Sequence, residues 1–276
     1  MKKRKRPATV RRKSAQRLIA LLSDFGDRDQ YVGTMKGVIL SIDPRAQIID
    51  ISHKVTPQNI TEAGYLLWAS YKFFPVGTVF VCVVDPGVGS ARRIICLETA
   101  RHQFIAPDNG LLDLVILQEE ILGSYEVINP PQFGTKKISA TFHGRDIFAP
   151  LAAGLSKGKS INQFGKRYEL KKPSPVFCNP ENNVVRARIL HIDRFGNLIT
   201  NIPEQYFDRR SVKVGATDIS NHIHSYAEAP KAQPCILVGS SGLIEVVLKD
   251  GSASKMLNAN LQTPVVVSTI GQKSQF

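Results

Sequence analysis

Residues 78–98 read TVFVCVVDPGVGSARRIICLE, and the fold class turns on them. The run from Val79 to Val84 is apolar and rich in β-branched residues, with no polar alternation, which is how a strand buried on both faces reads. It ends in Asp85, turns through Pro86, Gly87 and Gly89, presents Arg92 and Arg93, and resumes at Ile94 as a second strand. A glycine-rich turn after a strand suggests a nucleotide phosphate cradle. A P-loop, however, needs a Gly-Lys-Ser/Thr ending, and a dinucleotide fingerprint needs a third glycine opening a helix where Arg92 stands. Phosphate is therefore not the first ligand this loop suggests.

Outward from that stretch the same grammar repeats. RLIALLSDF (17–25), QIIDIS (47–52), RIICLE (93–98) and QFIAP (103–107) read as strands, while DQYVGTMKGVILSI (29–42) and NITEAGYLLWASYKFF (59–74) suit helices. Strands alternating with helices predict an α/β domain with a central, largely buried sheet over residues 18–170, the substrate and catalytic part of the chain. KKPSPVFCNPENN (171–183) packs three prolines among polar residues and reads as a linker. Beyond it, VVRARILHI, NLITNI, PCILVG and LIEVVL are short strands broken by Gly, Pro, Asn and Asp. They predict a smaller all-β domain of sandwich or barrel type over 184–276.

With 43% hydrophobic residues in 276, the chain can bury a sizeable core. No apolar run approaches the roughly 18 residues of a membrane span, and LIALL at 18–22 is too short for the apolar region of a secretory signal. The expectation is a soluble cytoplasmic protein with no membrane contact. Cys82, Cys96, Cys178 and Cys235 show neither close pairing nor zinc-like spacing and read as buried free thiols. Of the +13 formal charge, nine positive groups and no acid lie in residues 1–17, MKKRKRPATVRRKSAQR. That segment reads as a solvated, disordered tail; its alternative role is nonspecific contact with nucleic acid through phosphates.

Three polar clusters close the α/β strands: SDFGDRD (23–29), DPGVGSARR (85–93) and TFHGRD (141–146). Their DFG and HGRD are not kinase motifs, since the order is reversed and the β3 lysine and loop asparagine are missing. Asp24, Asp29, Asp85 and His143 lack any spacing that gathers imidazoles around a metal, so no metal site is expected. A lone histidine is usually structural. Beside Asp85 and Arg92, His143 gains a chemical reading: a carboxylate oriented by a guanidinium, with an imidazole nearby, can hold and deprotonate a water. In the second domain, HIDRFGNLITN (191–201) offers Phe195 as a stacking ring and Asn197 as an amide for a purine edge. The same residues also suit a tight turn between strands.

Taken in order, SDFGDRDQYVGTMKG, PQNI, VVDPGVGSARR, APDNGLL, TFHGRDIFAP, IDRFGNLITN and GSSGLIE closely resemble the S-adenosylmethionine hydroxide adenosyltransferases, the adenosine-forming S-adenosylmethionine hydrolases related to fluorinase and chlorinase. The resemblance runs from about residue 18 into the C-terminal region and leaves only the basic tail outside. It implies a C-terminal β-barrel and a homotrimer whose sites lie between one subunit's N-terminal domain and its neighbour's barrel. Carried over position by position, Asp85, Arg92 and His143 resemble the water-handling triad, and Asp24 the carboxylate that grips the ribose hydroxyls. Asp29 and Asp193 resemble those facing the methionine amino group. Phe195 and Asn197 would hold the adenine, and Ser240 the methionine carboxylate, with Glu245 a further substrate-site residue nearby. Gln58 stands where the fluorinase has a tryptophan against the ribose, and Ser241 where it has an arginine.

The implied reaction is attack of an activated water or hydroxide on the ribose 5′ carbon of S-adenosyl-L-methionine, giving adenosine and L-methionine without metal or cofactor. Two other functions are weighed against it: halogenation, with halide replacing water, and noncatalytic binding of adenosine or RNA. Halogenating relatives lack an acid at the position of Asp85, where a carboxylate would repel the anion.

Overall fold

The computed structural model describes residues 17–131, 137–178, 184–207 and 211–268. The basic tail up to residue 16 and the end of the linker, 179–183, lie outside them. The chain divides into two compact units. One holds the chain up to Ala63, Ser70–Leu112 and Gln118–Lys171; the other holds Gly64–Ala69, Asp113–Leu117 and everything from Lys172 onward.

The first unit is built on β1 (Ile19–Ser23), β2 (Ile48–Ser52), β3 (Val79–Val83), β4 (Ile94–Thr99), β5 (Gln103–Pro107), β6 (Ile121–Val127) and β7 (Gly165–Arg167). They form one sheet in the order β2-β1-β3-β5-β4-β6-β7. β1 pairs in parallel with β2 and β3, and β3 with β5. The pairings β4–β5, β4–β6 and β6–β7 are antiparallel. The helices are α1 (Tyr31–Ile42), α2 (Ile60–Ser70), α3 (Asp113–Gln118) and α4 (Ala149–Ser156), of which α2 and α3 give residues to both units.

Every position of β1 and β3 is buried, which explains their lack of polar alternation. Ile19, Leu21, Val79, Val81 and Val83 share one core with Met35 and Ile39 of α1 and Leu151 and Leu155 of α4. Each such side chain contributes on the order of 1.5–3 kcal/mol by leaving water. On the other face of the sheet, Phe80 and Phe104 stack with centroids 5.0 Å apart and meet Tyr71 and His102 edge-on. In the β1–β3 ladder Ser23 pairs with Val83, so Asp24 and Asp85 leave the sheet at the same end. That end, outside the carboxyl termini of adjacent parallel strands, is where open α/β sheets bind ligands.

The third polar cluster differs from the expectation. TFHGRD does not close a strand: β6 ends at Val127, and the cluster runs into a π-helical turn, Gly144–Phe148, that leads into α4. Its apolar neighbours alternate too briefly to distinguish a strand end from a helix start.

The second unit contains β8 (Val184–Ala187), β9 (Ile189–Ile192), β10 (Leu198–Pro203), β11 (Ser211–Val214), β12 (Thr217–Ile219), β13 (Pro234–Val238), β14 (Leu243–Leu248) and β15 (Val265–Ser268). They make two four-stranded antiparallel sheets, β13-β14-β10-β9 and β12-β11-β15-β8. Leu198, Ile244 and Val246 of one share a core with Val212, Val214, Val265 and Val267 of the other. The all-β expectation holds, but among the described residues no ladder joins the two sheets into a closed barrel. All four cysteines are buried and free. No described helix is long and apolar enough to cross a membrane.

Candidate active site

Past β1 the chain makes a tight turn in which Gly26 donates its N–H to His53 O at 2.7 Å. Asp24 sits within it, and its Oδ2 accepts from the Gln58 amide at 2.8 Å. Gln58 holds φ +65°, a left-handed conformation costly for a residue with a side chain, and so delivers its N–H to that carboxylate.

The loop after β3 is a succession of tight turns: Val88 N–H donates to Asp85 O and Ser90 N–H to Gly87 O, each at 3.1 Å. Gly89 lies at φ +79°, and a Cβ there would stand 2.3 Å from Ala140 O. Only glycine lets this loop touch the backbone that leads to His143. Just past β5, Asn109 donates Nδ2–H to Val84 O at 2.9 Å, pinning the strand end that carries Asp85.

These contacts bring the three expected catalytic residues together. Arg92 Nε lies 3.0 and 2.8 Å from Asp85 Oδ1 and Oδ2, and Nη2 reaches Oδ2 at 2.5 Å. The same Nη2 lies 2.6 Å from His143 Nδ1. A guanidinium can only donate, so Nδ1 must be the acceptor, and the single proton of the neutral imidazole resides on Nε2. The ring's pKa lies below the usual histidine range, first because of burial and second because of the Arg92 cation, against the opposing charges of Asp85 and Asp146. Side-chain exposure is 13% for Arg92 and 6% for Asp85, so this ion pair is largely desolvated.

Asp24, Gln58, Asp85 and His143 all line a cavity of about 370 Å³; Arg92 stands behind its wall. Part of the wall is aromatic: Phe25, Tyr31 and Phe142 also line the cavity, with centroids 5.1–6.1 Å apart. Asp29 is not among the lining residues and lies in an exposed stretch.

In the second unit, Asp193 organises its own loop. Its Oδ1 accepts from Phe195 N and Asn197 N at 2.9 Å, and Oδ2 from Asn197 Nδ2 at 2.8 Å. Asn197 is thereby buried, whereas the Phe195 ring is 74% exposed. Tyr226 joins this loop to Glu245: its hydroxyl lies 3.4 Å from Asn197 Nδ2 and donates to Glu245 Oε2 at 3.3 Å. Burial raises the Glu245 pKa; the Tyr226 bond opposes this and the Asp193 charge adds to it. A Cβ at Gly239 would lie 1.7 Å from Glu245 Oε1, so the glycine before Ser240 makes room for that carboxylate. Ser240 itself is exposed.

Sequence reasoning passed over Tyr226, Asn109 and the aromatic wall. Asn109 and Phe142 stood within quoted motifs, but nothing in the spacing tells which atoms they reach. Tyr226 lies in an irregular stretch with no pattern at all. Among the described residues no group of three or more His, Cys, Asp or Glu is placed to hold a metal ion.

The family model for the SAM hydroxide adenosyltransferase N-terminal domain matches residues 19–165, and that for the C-terminal domain matches 187–266. The chain is 34% identical to a Thermus thermophilus protein named (R)-S-adenosyl-L-methionine hydrolase, over 90% of this chain and 98% of that one. A protein of the same name from Methanocaldococcus jannaschii is 36% identical, over 88% and 92%. An Actinoplanes fluorinase is 34% identical, over 67% and 71%. An uncharacterized conserved protein of Thermotoga maritima superposes with a TM-score of 0.84 at 34% identity, covering 91% of this chain and all of its own. With both domain models matched in order, and relatives this similar aligned along nearly their whole length, the chain belongs to the SAM hydroxide adenosyltransferase family.

Proposed function

We propose that the protein hydrolyses S-adenosyl-L-methionine, in the (R)-sulfonium form that names its relatives, to adenosine and L-methionine. The observation that carries this reading is the Arg92 side chain bonding both Asp85 and His143 behind a cavity that those two residues line. Because Nδ1 of His143 is taken, its Nε2–H serves as a donor to the oxygen of a bound water, and the acceptor for that water's proton is the Asp85 carboxylate. The water oxygen forms a bond to the ribose C5′ while the C5′–S bond breaks, and the electron pair goes to sulfur. Methionine leaves as a neutral thioether, so the departing group needs neither a general acid nor a metal. The proton passes to Asp85 and on to solvent. Holding the water in line supplies several kcal/mol of the barrier through orientation, and charge disappearing from sulfur is favoured beside the apolar wall of Phe25, Tyr31 and Phe142.

Asp24 takes the ribose hydroxyls, with Gln58 beside it. Phe195, Asn197, Asp193, Ser240 and Glu245 take the adenine and the methionine end, and Asp29 the amino group. In this proposal the protein is a cytoplasmic homotrimer that uses no metal or cofactor, and each site draws Phe195 and Asn197 from a neighbouring subunit. Halogenation is disfavoured by a desolvated carboxylate, Asp85, where the halide would have to sit. The test is incubation of the purified protein with S-adenosylmethionine, with chromatography for adenosine. Adenosine and methionine in equal amounts support hydrolysis, a halogenated nucleoside formed with added halide supports the rival, and unchanged substrate leaves a binding protein.

A further inference from the structure

The loop that follows β2 carries a chain of polar groups that the reaction itself does not use. His53 Nδ1 lies 2.7 Å from Ser23 Oγ, and Nε2 lies 3.1 Å from Asp50 Oδ1. Asp50 Oδ2 is held in turn by Lys36 Nζ at 2.6 Å. The Nε2–Asp50 contact is electrostatic and lacks hydrogen-bond geometry; the carboxylate beside Nε2 favours the ring proton there, which leaves Nδ1 to accept the Ser23 hydroxyl proton. Ser23 Oγ then receives the Phe25 N–H at 3.3 Å. The two bonds that meet at Ser23 run in one direction, from the amide of Phe25 through the hydroxyl to His53, and such aligned bonds strengthen one another.

A Ser–His–Asp set invites reading as a nucleophile, but Ser23 is only 2% exposed and its oxygen is occupied by a backbone amide. Its position suggests something else. Ser23 and Phe25 flank Asp24. His53 also takes the Gly26 N–H on its backbone carbonyl at 2.7 Å, and five residues later the same loop gives its Gln58 N–H to Asp24 Oδ2. The loop between is braced by Thr56 N–H donating to Glu62 Oε2 at 2.8 Å.

We propose that His53 is a positioning residue: its imidazole, spanning Asp50 and Ser23, locks the Ser23–Gly26 turn so that the Asp24 carboxylate is presented to the ribose of the substrate. This rests on the hydrolase reading for the identity of the ligand. In physical terms, one relay bond lost here lets a charged acceptor drift from the hydroxyls it grips, which weakens binding about tenfold while leaving Asp85 and His143 in place.

The experiment compares wild type with His53→Ala, His53→Asn, Ser23→Ala, Asp24→Asn and the double variant His53→Ala/Asp24→Asn. Calorimetry gives the affinities for adenosine and 2′-deoxyadenosine, and adenosine release gives kcat and KM. The expected result is that His53→Ala and Ser23→Ala each reduce the preference for adenosine over its 2′-deoxy form about tenfold and raise KM, with kcat within about twofold. His53→Asn, whose amide oxygen can replace Nδ1 as acceptor for Ser23, should recover most of the loss, and the double variant should be no worse than Asp24→Asn alone. An unchanged ribose preference in both His53→Ala and Ser23→Ala overturns the proposal, as does additivity in the double variant. If His53→Ala fails to fold, Ser23→Ala, which removes only the central hydroxyl, carries the decision. A wild type that binds neither nucleoside and releases no adenosine overturns the hydrolase reading itself, whereas normal wild-type binding with indifferent variants overturns only this inference.

Discussion

Replacing Asp85 by asparagine separates the charge of the site from its shape. In the structure Asp85 takes three close contacts from Arg92, two from Nε and one from Nη2, and both side chains are nearly out of water. Asparagine keeps one acceptor oxygen but turns an amide NH₂ towards a guanidinium, leaving Arg92 as a cation without a counter-charge. Breaking one side of a buried pair costs about 3–5 kcal/mol, and because this pair borders a cavity that admits water the lower end, about 3 kcal/mol, applies. For turnover the loss is the proton acceptor, worth about a hundredfold or more, which is about 2.7 kcal/mol of barrier. Substrate affinity should change little, since the ribose, adenine and methionine contacts proposed here lie on other residues. The assay is single-turnover adenosine release at saturating substrate, beside adenosine affinity and the thermal midpoint. The double variant Asp85→Asn/Arg92→Gln removes the stranded cation as well. It should regain most of the stability and none of the rate. Adenosine release from Asp85→Asn close to wild type, at intact affinity, would refute the reasoning and leave the loop a purely structural role.

If His143 acts through Nε2–H, His143→Gln, whose amide NH₂ can take the same place, should retain more turnover than His143→Ala; equal losses would count against the tautomer. Its pKa is depressed below the ordinary histidine value of about 6.5, so the neutral ring persists as pH falls past that value. The acid limb of kcat should therefore lie below it, and a limb at or above pH 6.5 contradicts the assignment. Gly89→Ala meets both a left-handed φ and Ala140 O; it should cost about 1–3 kcal/mol in a denaturant titration and reduce turnover about tenfold by parting Arg92 from His143. His102 is 2% exposed and its pKa is pushed down to about 4, chiefly by burial. The unfolded chain takes up this proton near pH 6.5 and the folded one only near pH 4, so about 3 kcal/mol of stability, present above the upper value, is lost across that window as pH falls. In His102→Phe, unfolding free energies at pH 7 and pH 4 should differ by correspondingly less. Mixing Asp85→Ala with Asn197→Ala subunits should restore part of the activity if neighbours share sites; mixed oligomers that stay inactive would refute the sharing.

Five of the seven strands of the first unit, β1 to β5, could be read from sequence because their signal is local: apolar, β-branched runs, which at β1 and β3 lack polar alternation because both faces are buried; β6 and β7 carry no such run and were passed over. Sheet order and direction were not readable. The turn between β4 and β5, Ala100 to His102, is short enough for a hairpin, yet nothing local says that β5 then lies beside β3. Strand pairing in the second unit was similarly hidden, since it includes pairs such as β8 with β15, whose residues are about eighty positions apart. The motifs identified Asp85, Arg92 and His143 as residue types. That one Arg92 nitrogen meets both partners, and so decides the imidazole tautomer, depends on distances no spacing encodes. TFHGRD was misplaced for the same reason: its residues were right, but it enters a helix where Gly144 sits so close to Met35, Phe142 and Phe25 that a Cβ would crowd them, a contact no local pattern encodes.

The four cysteines carry a practical consequence. Each is buried, and burial raises each thiol pKa, that of Cys178 up to about 11, so little thiolate exists at neutral pH to react. The folded protein should therefore react only slowly with maleimides without any cysteine being removed. A single thiol introduced at an exposed position such as Phe73, which is 85% exposed, would be the one site to take a dye, giving a uniformly labelled protein.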